Sequence, residues 1–226
     1  MTIPELWGEH FGLGGPRKII CVGLNYRDHA AEGGREAPGE PLLFAKLPTA
    51  LIEPGEAIVL PPEDDHVDSE AELAVVIGLA GRRISREAAL DHVAGYTVAN
   101  DVSARTLQRN DGQWLRAKSF DTFCPVLPTL VGTDELGDAS GLRVTQRLNG
   151  ETLQDANTDD FLFDVPTLIA HASAAFTLEP GDLILTGTPS GVGVYRDPPV
   201  AMRPGDLVEI EVERIGMLAN PVAAAH

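Results

Sequence analysis

The chain has 226 residues, of which 43% are hydrophobic and 23% are charged, a composition typical of a globular protein. It carries 17 lysines and arginines against 34 aspartates and glutamates, a formal net charge of −17. Such a surface repels nucleic acids and anionic membranes, so we expect neither as a partner. A small anionic substrate would need a local positive charge, such as a metal ion, to hold it against this field.

The cysteines and the first residues set expectations about redox chemistry and location. Cys21 and Cys124 lie far apart in apolar stretches and are expected to be buried thiols rather than a disulfide. The first 15 residues lack a basic region followed by an apolar one, so no signal peptide is predicted and a cytoplasmic location is expected. We expect residues 1–16 to form a short N-terminal extension and residues 17–226 to form a single catalytic domain.

Short strands dominate the predicted elements. Apolar or alternating runs rich in β-branched residues predict strands at 19–23, 57–60, 73–77, 96–99, 183–185 and 207–212. Asn149-Gly150, between two such runs, predicts a two-residue β-hairpin. Three Pro-Gly pairs predict type II turns that lead into strands, because proline fits the first central position and glycine supplies the positive φ of the second. These pairs are Pro54-Gly55, Pro180-Gly181 and Pro204-Gly205.

Fewer segments predict helices. They are 26–32 capped by Asn25, 85–93 capped by Ser85, and 164–176 capped by Asp164. The strands and helices do not alternate, which disfavours a doubly wound nucleotide-binding fold. The sequence therefore predicts a mixed, mainly β fold, a sandwich or roll with a few peripheral helices. Residues 32–40 resemble a mobile loop inside this domain.

A pair of carboxylates marks the start of a buried strand. Glu70 and Glu72 are two residues apart and share one face, and the strand that follows is apolar on both faces. Carboxylates entering a core need compensation, and a hard divalent cation supplies it. Asp101, at the end of a second apolar strand, and Asp68 are alternatives for a third ligand. The competing interpretation is an exposed strand start with solvated acids.

Three further features are candidates for chemistry. His29 and Glu32 share a helix face, where the carboxylate would orient the imidazole as a general base, although such a pair is commonly a surface feature. Lys118 lies in a mostly apolar stretch and is either a substrate-binding cation or a surface lysine that buries only its stem. The small-residue loop 186–193 allows close backbone approach to a ligand, but it lacks the pattern of a nucleotide-binding loop.

Six segments between Ile19 and about Gly216, in this order, resemble the fumarylacetoacetate hydrolase family. They read CVGLNYRDH (21–29), EAE (70–72), NDVSAR (100–105), KSFDTFCP (118–125), FDVPTLI (163–169) and LEPGDLILTGTPSGVG (178–193). The resemblance implies a β-sandwich roll that forms a homodimer and binds Mg²⁺ or Mn²⁺, with Ca²⁺ as an alternative occupant in a crystal. By motif, the three metal ligands are Glu70, Glu72 and Asp101.

The resemblance also implies the roles of other side chains. His29 and Glu32 would form a catalytic dyad on a lid, and Lys118 would complete the catalytic set. The implied substrate-binding residues are Arg105, Gln108 and Thr188.

The resemblance leaves the reaction open among several that share a metal-chelated 2-oxo acid. Because both members of the dyad are present, we favour hydrolysis of a C–C bond in an acylpyruvate-type 2,4-dioxo acid, with His29 activating water. The alternatives are an isomerase of the 2-hydroxymuconate or 2-hydroxyhepta-2,4-diene-1,7-dioate type and an oxaloacetate decarboxylase. A non-catalytic anion-binding module is the alternative outside enzymes.

Overall fold

A computed structural model describes residues 8, 15–34 and 36–225. The expected N-terminal extension therefore lies almost wholly outside the described residues, and its boundary at residue 16 stays a prediction. In chain order the strands are β1 Ile19–Gly23, β2 Leu42–Lys46, β3 Leu51–Ile52, β4 Ile58–Leu60, β5 Val67–Asp68, β6 Ala71–Ile77, β7 Val93–Asn100, β8 Ser103–Ala104, β9 Cys124–Pro125, β10 Arg143–Leu148, β11 Glu151–Asn157, β12 Leu183–Leu185, β13 Leu207–Val212 and β14 Gly216–Ala224.

Short helices connect these strands at the edges of the fold. The α-helices are α1 Arg27–Glu32, α2 Arg105–Asp111, α3 Leu115–Lys118, α4 Thr133–Leu136 and α5 Val165–Ala175. Single 3₁₀ turns or short 3₁₀ helices occupy Pro48–Ala50, Arg86–His92, Thr158–Asp160 and Gly193–Tyr195. The mixed, mainly β class predicted from the sequence is confirmed. Among the described residues, no helix is long and apolar enough to cross a membrane.

Two five-stranded sheets form the body of the fold. The first has the order β2-β1-β12-β6-β7 and the second β11-β10-β13-β14-β4. Strands β10, β13 and β14 pack against β6 and β7, so the two sheets cover each other as in a sandwich. Strand β6 is buried along its whole length, as the apolar run from Leu73 onward predicts for that part of it.

The hairpin and the three turns are confirmed. Asn149 and Gly150 have φ values of 53° and 83° and connect β10 to β11, as expected for a tight two-residue hairpin. The glycines of the three Pro-Gly pairs all have positive φ, between 84° and 97°. Glycine at these positions avoids the steric cost that a Cβ would bring.

Two details of the predicted helices are corrected. Asn25 does not cap α1, because its side chain binds Phe163 and the Thr186 carbonyl instead. The segment that begins after Ser85 is a 3₁₀ helix, and the Ser85 side chain makes no capping hydrogen bond. The third prediction is confirmed, since Asp164 accepts a hydrogen bond from the backbone N–H of Thr167 at the start of α5.

Candidate active site

Three buried carboxylates meet where β6 begins and β7 ends. The antiparallel register pairs Ala71 with Asn100, and the Asp101 N–H donates to the Glu70 carbonyl, so Glu70 and Asp101 lie across from each other. Glu72 is two residues further along β6 and shares the Glu70 face. One oxygen from each of the three side chains lies within 4.8 Å of the others. The sequence therefore predicted the meeting of these carboxylates correctly.

Buried cations compensate two of the three carboxylates. The Lys118 ammonium bridges Glu70 at 2.7 Å and Asp101 at 2.6 Å. Lys46 donates to the other oxygen of Asp101 at 2.6 Å, and Arg105 contacts the other oxygen of Glu70 at 2.6 Å. Lys118 is only 2% exposed, so the surface-lysine interpretation is wrong.

Of the three carboxylates, Glu72 is the one that forms no ion pair with any described residue. Within the described residues its hydrogen-bond donor is the Gly187 N–H, at 2.7 Å. Burial raises its pKa well above the ordinary glutamate value, and the neighbouring Asp101 and Glu70 charges raise it further. For Glu70 burial acts in the same direction, but Arg105 and Lys118 outweigh it and its pKa is lowered.

This arrangement fits a divalent cation. All the donors are hard carboxylate oxygens, the class that Mg²⁺ and Mn²⁺ prefer. A buried carboxylate without a cationic partner is costly, and a metal ion beside Glu72 would remove that cost. The residues that would hold the ion are Glu70, Glu72 and Asp101.

Asp68, the alternative third ligand, is fully engaged elsewhere. Its carboxylate accepts hydrogen bonds from the backbone N–H groups of Ser69, Gly193 and Val194 and from the Arg105 guanidinium. It therefore orients Arg105 and is not part of the carboxylate cluster. Of the two alternatives that the sequence left open, the structure brings Asp101 to Glu70 and Glu72.

The predicted dyad forms on α1. His29 Nδ1 lies 3.3 Å from Glu32 Oε2, and His29 is 8% exposed, so it is not a surface histidine. Because a carboxylate accepts only, the pair favours the tautomer with the proton on Nδ1, and Nε2 is left to accept a proton. His29 lines the same cleft as the three carboxylates.

The small-residue loop 186–193 binds carboxylates through its glycines. The N–H groups of Gly187, Gly191 and Gly193 donate to Glu72, Glu32 and Asp68 respectively, at 2.7, 2.9 and 3.0 Å. A Cβ on Gly191 or Gly193 would lie 2.1 Å from a backbone oxygen. The structure shows close approach of this loop to the carboxylates of the site, and the predicted approach to a ligand stays a prediction.

A cleft of about 510 Å³ opens above these groups. The predicted substrate-binding residues Arg105, Gln108 and Thr188 all line it, and so does Lys118. The Gln108 carbonyl oxygen accepts a hydrogen bond from Arg105 at 3.0 Å, which leaves the Gln108 amide nitrogen to face other partners. Phe44 and Trp114 form an edge-to-face pair on the wall, with the Lys118 ammonium 5.0 Å from the Phe44 ring.

Neither cysteine is a candidate nucleophile. Both thiols are free and buried, as the sequence predicted. Burial raises the pKa of Cys21 well above its ordinary value and raises the pKa of Cys124 to about 12. A thiol held protonated in this way is a poor nucleophile.

The family model for the C-terminal domain of fumarylacetoacetate hydrolase matches residues 18–223. This chain belongs to the fumarylacetoacetate hydrolase family. Among curated relatives, it is 50% identical over 209 residues to the mitochondrial oxaloacetate tautomerase FAHD2A of Bos taurus. It is 49% identical over 209 residues to the mitochondrial oxaloacetate tautomerase fahd2 of Xenopus laevis. The aligned region covers 92% of this chain but only 67% and 66% of those relatives.

Solved structures of the fumarylacetoacetate hydrolase family share the fold. A 5-carboxymethyl-2-hydroxymuconate delta-isomerase from Mycobacterium smegmatis matches with a TM-score of 0.84 and 44% identity, over 93% of this chain and 80% of that one. A fumarylpyruvate hydrolase from Pseudomonas aeruginosa, in complex with Mn²⁺ and pyruvate, matches with a TM-score of 0.84 and 30% identity. That alignment covers 93% of this chain and 91% of the hydrolase.

Some site residues of this family member were missed by the sequence reasoning. Lys46 is 2% exposed and binds Asp101. A lone lysine at the end of an apolar strand is the sequence feature that could have predicted this buried position. Gln154 reaches from β11 to Thr188, and an inward-facing glutamine in a strand was a weaker signal. Trp114 and Tyr195 line the cleft from segments that sequence patterns leave unassigned.

Proposed function

We propose that this protein catalyses keto–enol tautomerisation of a 2-oxo dicarboxylic acid such as oxaloacetate. The observation that carries the proposal is that the free nitrogen of His29, with Glu32 behind it, belongs to the same cleft as the three carboxylates. The relatives named as oxaloacetate tautomerases support the choice of reaction.

A count of charges supports an anionic substrate. Four buried carboxylates, the three of the cluster and Asp68 beside it, face the three buried cations Lys46, Arg105 and Lys118, and with a metal ion bound all four are counted as ionised. This leaves one negative charge in excess, and a divalent ion would reverse it to one positive charge. The centre would then attract one carboxylate against the net charge of −17 of the whole chain.

Arg109 supports a second carboxylate on the substrate. It lines the cleft one residue after Gln108 and makes no hydrogen bond or ion pair within the described part of the chain. A guanidinium without a partner is suited to bind a carboxylate in a forked geometry. A substrate with one carboxylate at the metal centre and one at its far end would match both charges.

The chemical step needs one proton carrier. In going from enol to keto form, the substrate loses the proton of its enol hydroxyl and gains one at the adjacent carbon. His29 Nε2 can accept a proton and return it, and Glu32 stabilises the charged imidazolium in between. Arg105, Gln108 and Thr188 would hold the substrate carboxylate that lies at the metal centre. A divalent ion, which we propose to be Mg²⁺ or Mn²⁺, would supply charge stabilisation to an oxygen that becomes negative.

Hydrolysis of an acylpyruvate-type substrate is the second candidate. The sequence favoured this reaction, and the similarity of the fold to a fumarylpyruvate hydrolase supports it as a candidate. The same His29–Glu32 pair could deprotonate water instead of a carbon or a hydroxyl. The relatives at 49–50% identity make tautomerisation the first choice.

A substrate panel separates these reactions. The purified protein would be incubated with enol-enriched oxaloacetate, a 2-hydroxymuconate and an acylpyruvate, each with Mg²⁺ and after EDTA treatment. We expect Mg²⁺-dependent loss of the enol absorbance of oxaloacetate above the spontaneous rate, without pyruvate release. Pyruvate release from the acylpyruvate alone would favour hydrolysis, and pyruvate release from oxaloacetate would favour decarboxylation.

Location and assembly remain predictions for this chain. The two curated relatives described above are mitochondrial by name, whereas a cytoplasmic location was expected from the sequence. We propose a homodimer from the family resemblance. Cell fractionation and light scattering would test these two expectations.

A further inference from the structure

The hydroxyl of Thr188 has a hydrogen to donate and no acceptor for it in the described part of the chain. Thr188 is 4% exposed and lines the cleft. Its oxygen accepts a hydrogen bond of 2.8 Å from the side-chain amide of Gln154, which is 1% exposed on β11 of the second sheet. Because the Gln154 amide donates to the hydroxyl oxygen, the hydroxyl hydrogen is left to donate to a ligand in the cleft.

The orientation of the Gln154 amide is fixed by backbone groups that cannot change role. Its carbonyl oxygen accepts from the Ala71 N–H at 2.9 Å, and that group can only donate. Its nitrogen also donates to the Pro189 carbonyl at 2.8 Å, and that group can only accept. A flipped amide would face a donor with a donor and an acceptor with an acceptor. The nitrogen must therefore face Thr188.

We propose that Gln154 is a positioning residue that makes the Thr188 hydroxyl an obligate donor and so tunes the cleft for a carboxylate. This inference rests on the proposed function only in taking the substrate to be a 2-oxo acid. It assigns to a residue outside the cleft lining a role in binding the substrate. Gln154 also contacts Ala71, which lies between Glu70 and Glu72, so the test must separate substrate binding from metal binding.

The variant Gln154→Glu separates the two roles. A carboxyl group keeps an acceptor for the Ala71 N–H. Its second oxygen replaces the nitrogen. An ionised carboxylate can only accept, and a protonated one gives its single hydrogen to the Pro189 carbonyl, which can only accept. In both cases Thr188 would turn its own hydrogen toward the glutamate oxygen. The hydrogen that we assign to the substrate would then be diverted from the cleft, while the bond to the strand between the metal carboxylates is retained.

The measurements are the KM for enol oxaloacetate and the dissociation constant for pyruvate, which needs no turnover, each on the Mg²⁺-loaded full chain. We expect Gln154→Glu to raise both by about tenfold, the worth of one hydrogen bond to a charged group, with kcat changed by less than about threefold. The Mg²⁺ affinity should stay within about twofold. Thr188→Val should raise both constants similarly, and Thr188→Ser, which keeps a hydroxyl, should restore them.

The decisive comparison is a double-mutant cycle. If Gln154 acts through Thr188, adding Gln154→Glu to Thr188→Val should have no further effect on pyruvate binding. Effects that multiply, or an unchanged pyruvate affinity in Gln154→Glu, would overturn the proposal. Should Gln154→Glu fail to fold, Gln154→Met in both backgrounds still tests the coupling, although it removes the acceptor for the Ala71 N–H as well as the donor to Thr188. Mg²⁺ affinity is then measured beside pyruvate affinity, and an effect on pyruvate binding that persists in the Thr188→Val background would overturn the proposal.

Gln146 provides a matched control. It pairs with Gln154 in the register of β10 and β11, is equally buried at 1% exposure, and donates to Ser69 instead of a cleft residue. We expect Gln146→Glu to lower stability without changing pyruvate affinity, and an equal loss of affinity would overturn the specific role of Gln154. Since pyruvate binding does not depend on the reaction, absence of tautomerase activity would refute the proposed function and leave this inference standing.

Discussion

The carboxylate centre and the dyad segment line the same cleft but are built in different ways. Glu72 lies on β6, Glu70 directly precedes β6 and Asp101 directly follows β7, and all three side chains are buried. The dyad lies on α1, a helix of six residues. That helix is attached by individual hydrogen bonds, from Ser190 to Asp28 and from Gly191 to Glu32.

This difference implies that metal binding and proton transfer can be lost separately. The centre is held by two paired strands, and a substitution there changes buried charges that water cannot screen. We expect the dyad segment to be able to change its position without unfolding the sandwich, because α1 has six residues and is not a strand of either sheet. The predictions below test this contrast from its largest expected effect to its smallest.

Loss of a metal carboxylate should have the largest effect. We expect Glu72→Ala to abolish Mg²⁺ binding and activity while the fold survives. The two ligands that remain, Glu70 and Asp101, neutralise the ion less completely than all three carboxylates do. Calorimetry with Mg²⁺ and circular dichroism are the measurements. Glu151→Ala, at an exposed position of β11, is the control. EDTA should inactivate the unmodified protein reversibly, and an unchanged Mg²⁺ affinity in Glu72→Ala would refute the ligand assignment.

Removal of the base should be the next largest effect. We expect His29→Ala to lower kcat by about 10²- to 10⁴-fold, the usual worth of a general base, with Mg²⁺ affinity nearly unchanged. Steady-state kinetics and Mg²⁺ calorimetry measure the two quantities. His171→Ala, on α5 and outside the cleft lining, is the control. Loss of metal binding in His29→Ala would make His29 a ligand and contradict the separation.

The segment that carries the dyad should respond to ligand more than the centre does. The glycines after Glu32 predict a lid over 26–40, in which residue 35 lies outside the described residues, and we expect the lid to be mobile without ligand and ordered with it. We expect hydrogen exchange of the α1 amides to slow by about tenfold when Mg²⁺ and pyruvate are added. The amides of β6 should already exchange slowly and change little. Equal protection of α1 with and without ligand would indicate a rigid turn.

A helix cap that does not line the cleft should give the smallest effect. Burial raises the pKa of Asp164, but hydrogen bonds from Thr167 and the Arg86 charge outweigh it and the pKa is lowered. A lowered pKa stabilises the fold above the ordinary aspartate range, and this contribution is lost as pH falls through the folded value. We expect Asp164→Ala to cost about 1 kcal/mol at neutral pH and less in acid.

Urea unfolding at several pH values measures this cost. Asp121→Ala is the control, since Asp121 is exposed and makes no hydrogen bond or ion pair within the described residues. A cost that stays constant into acid would show that the Asp164 charge is not involved.

Patterns that repeat along the chain made much of the fold and the site predictable. The period of two along β6 placed Glu70 and Glu72 on one face, and the hairpin dipeptide at Asn149 fixed the β10–β11 connection. The prediction of Asn25 as a helix cap was wrong, because its true partners Phe163 and Thr186 are more than 130 residues away. The same holds for Lys46 and Gln154, whose roles depend on strands brought together only by folding.

The glycine loop has a consequence for which substitutions the protein can tolerate. Glu32, Asp68 and Glu72 are each held by a peptide N–H, and a peptide N–H survives every side-chain exchange except one to proline. The orientation of these acids is therefore insensitive to most point mutations of the loop. It is sensitive at Gly187, Gly191 and Gly193. A Cβ on Gly191 or Gly193 would collide with backbone, and a Cβ on Gly187, whose φ is +100°, would lie 2.8 Å from the Asn25 Cβ. A saturation scan should find inactive variants at three residues that have no functional group of their own.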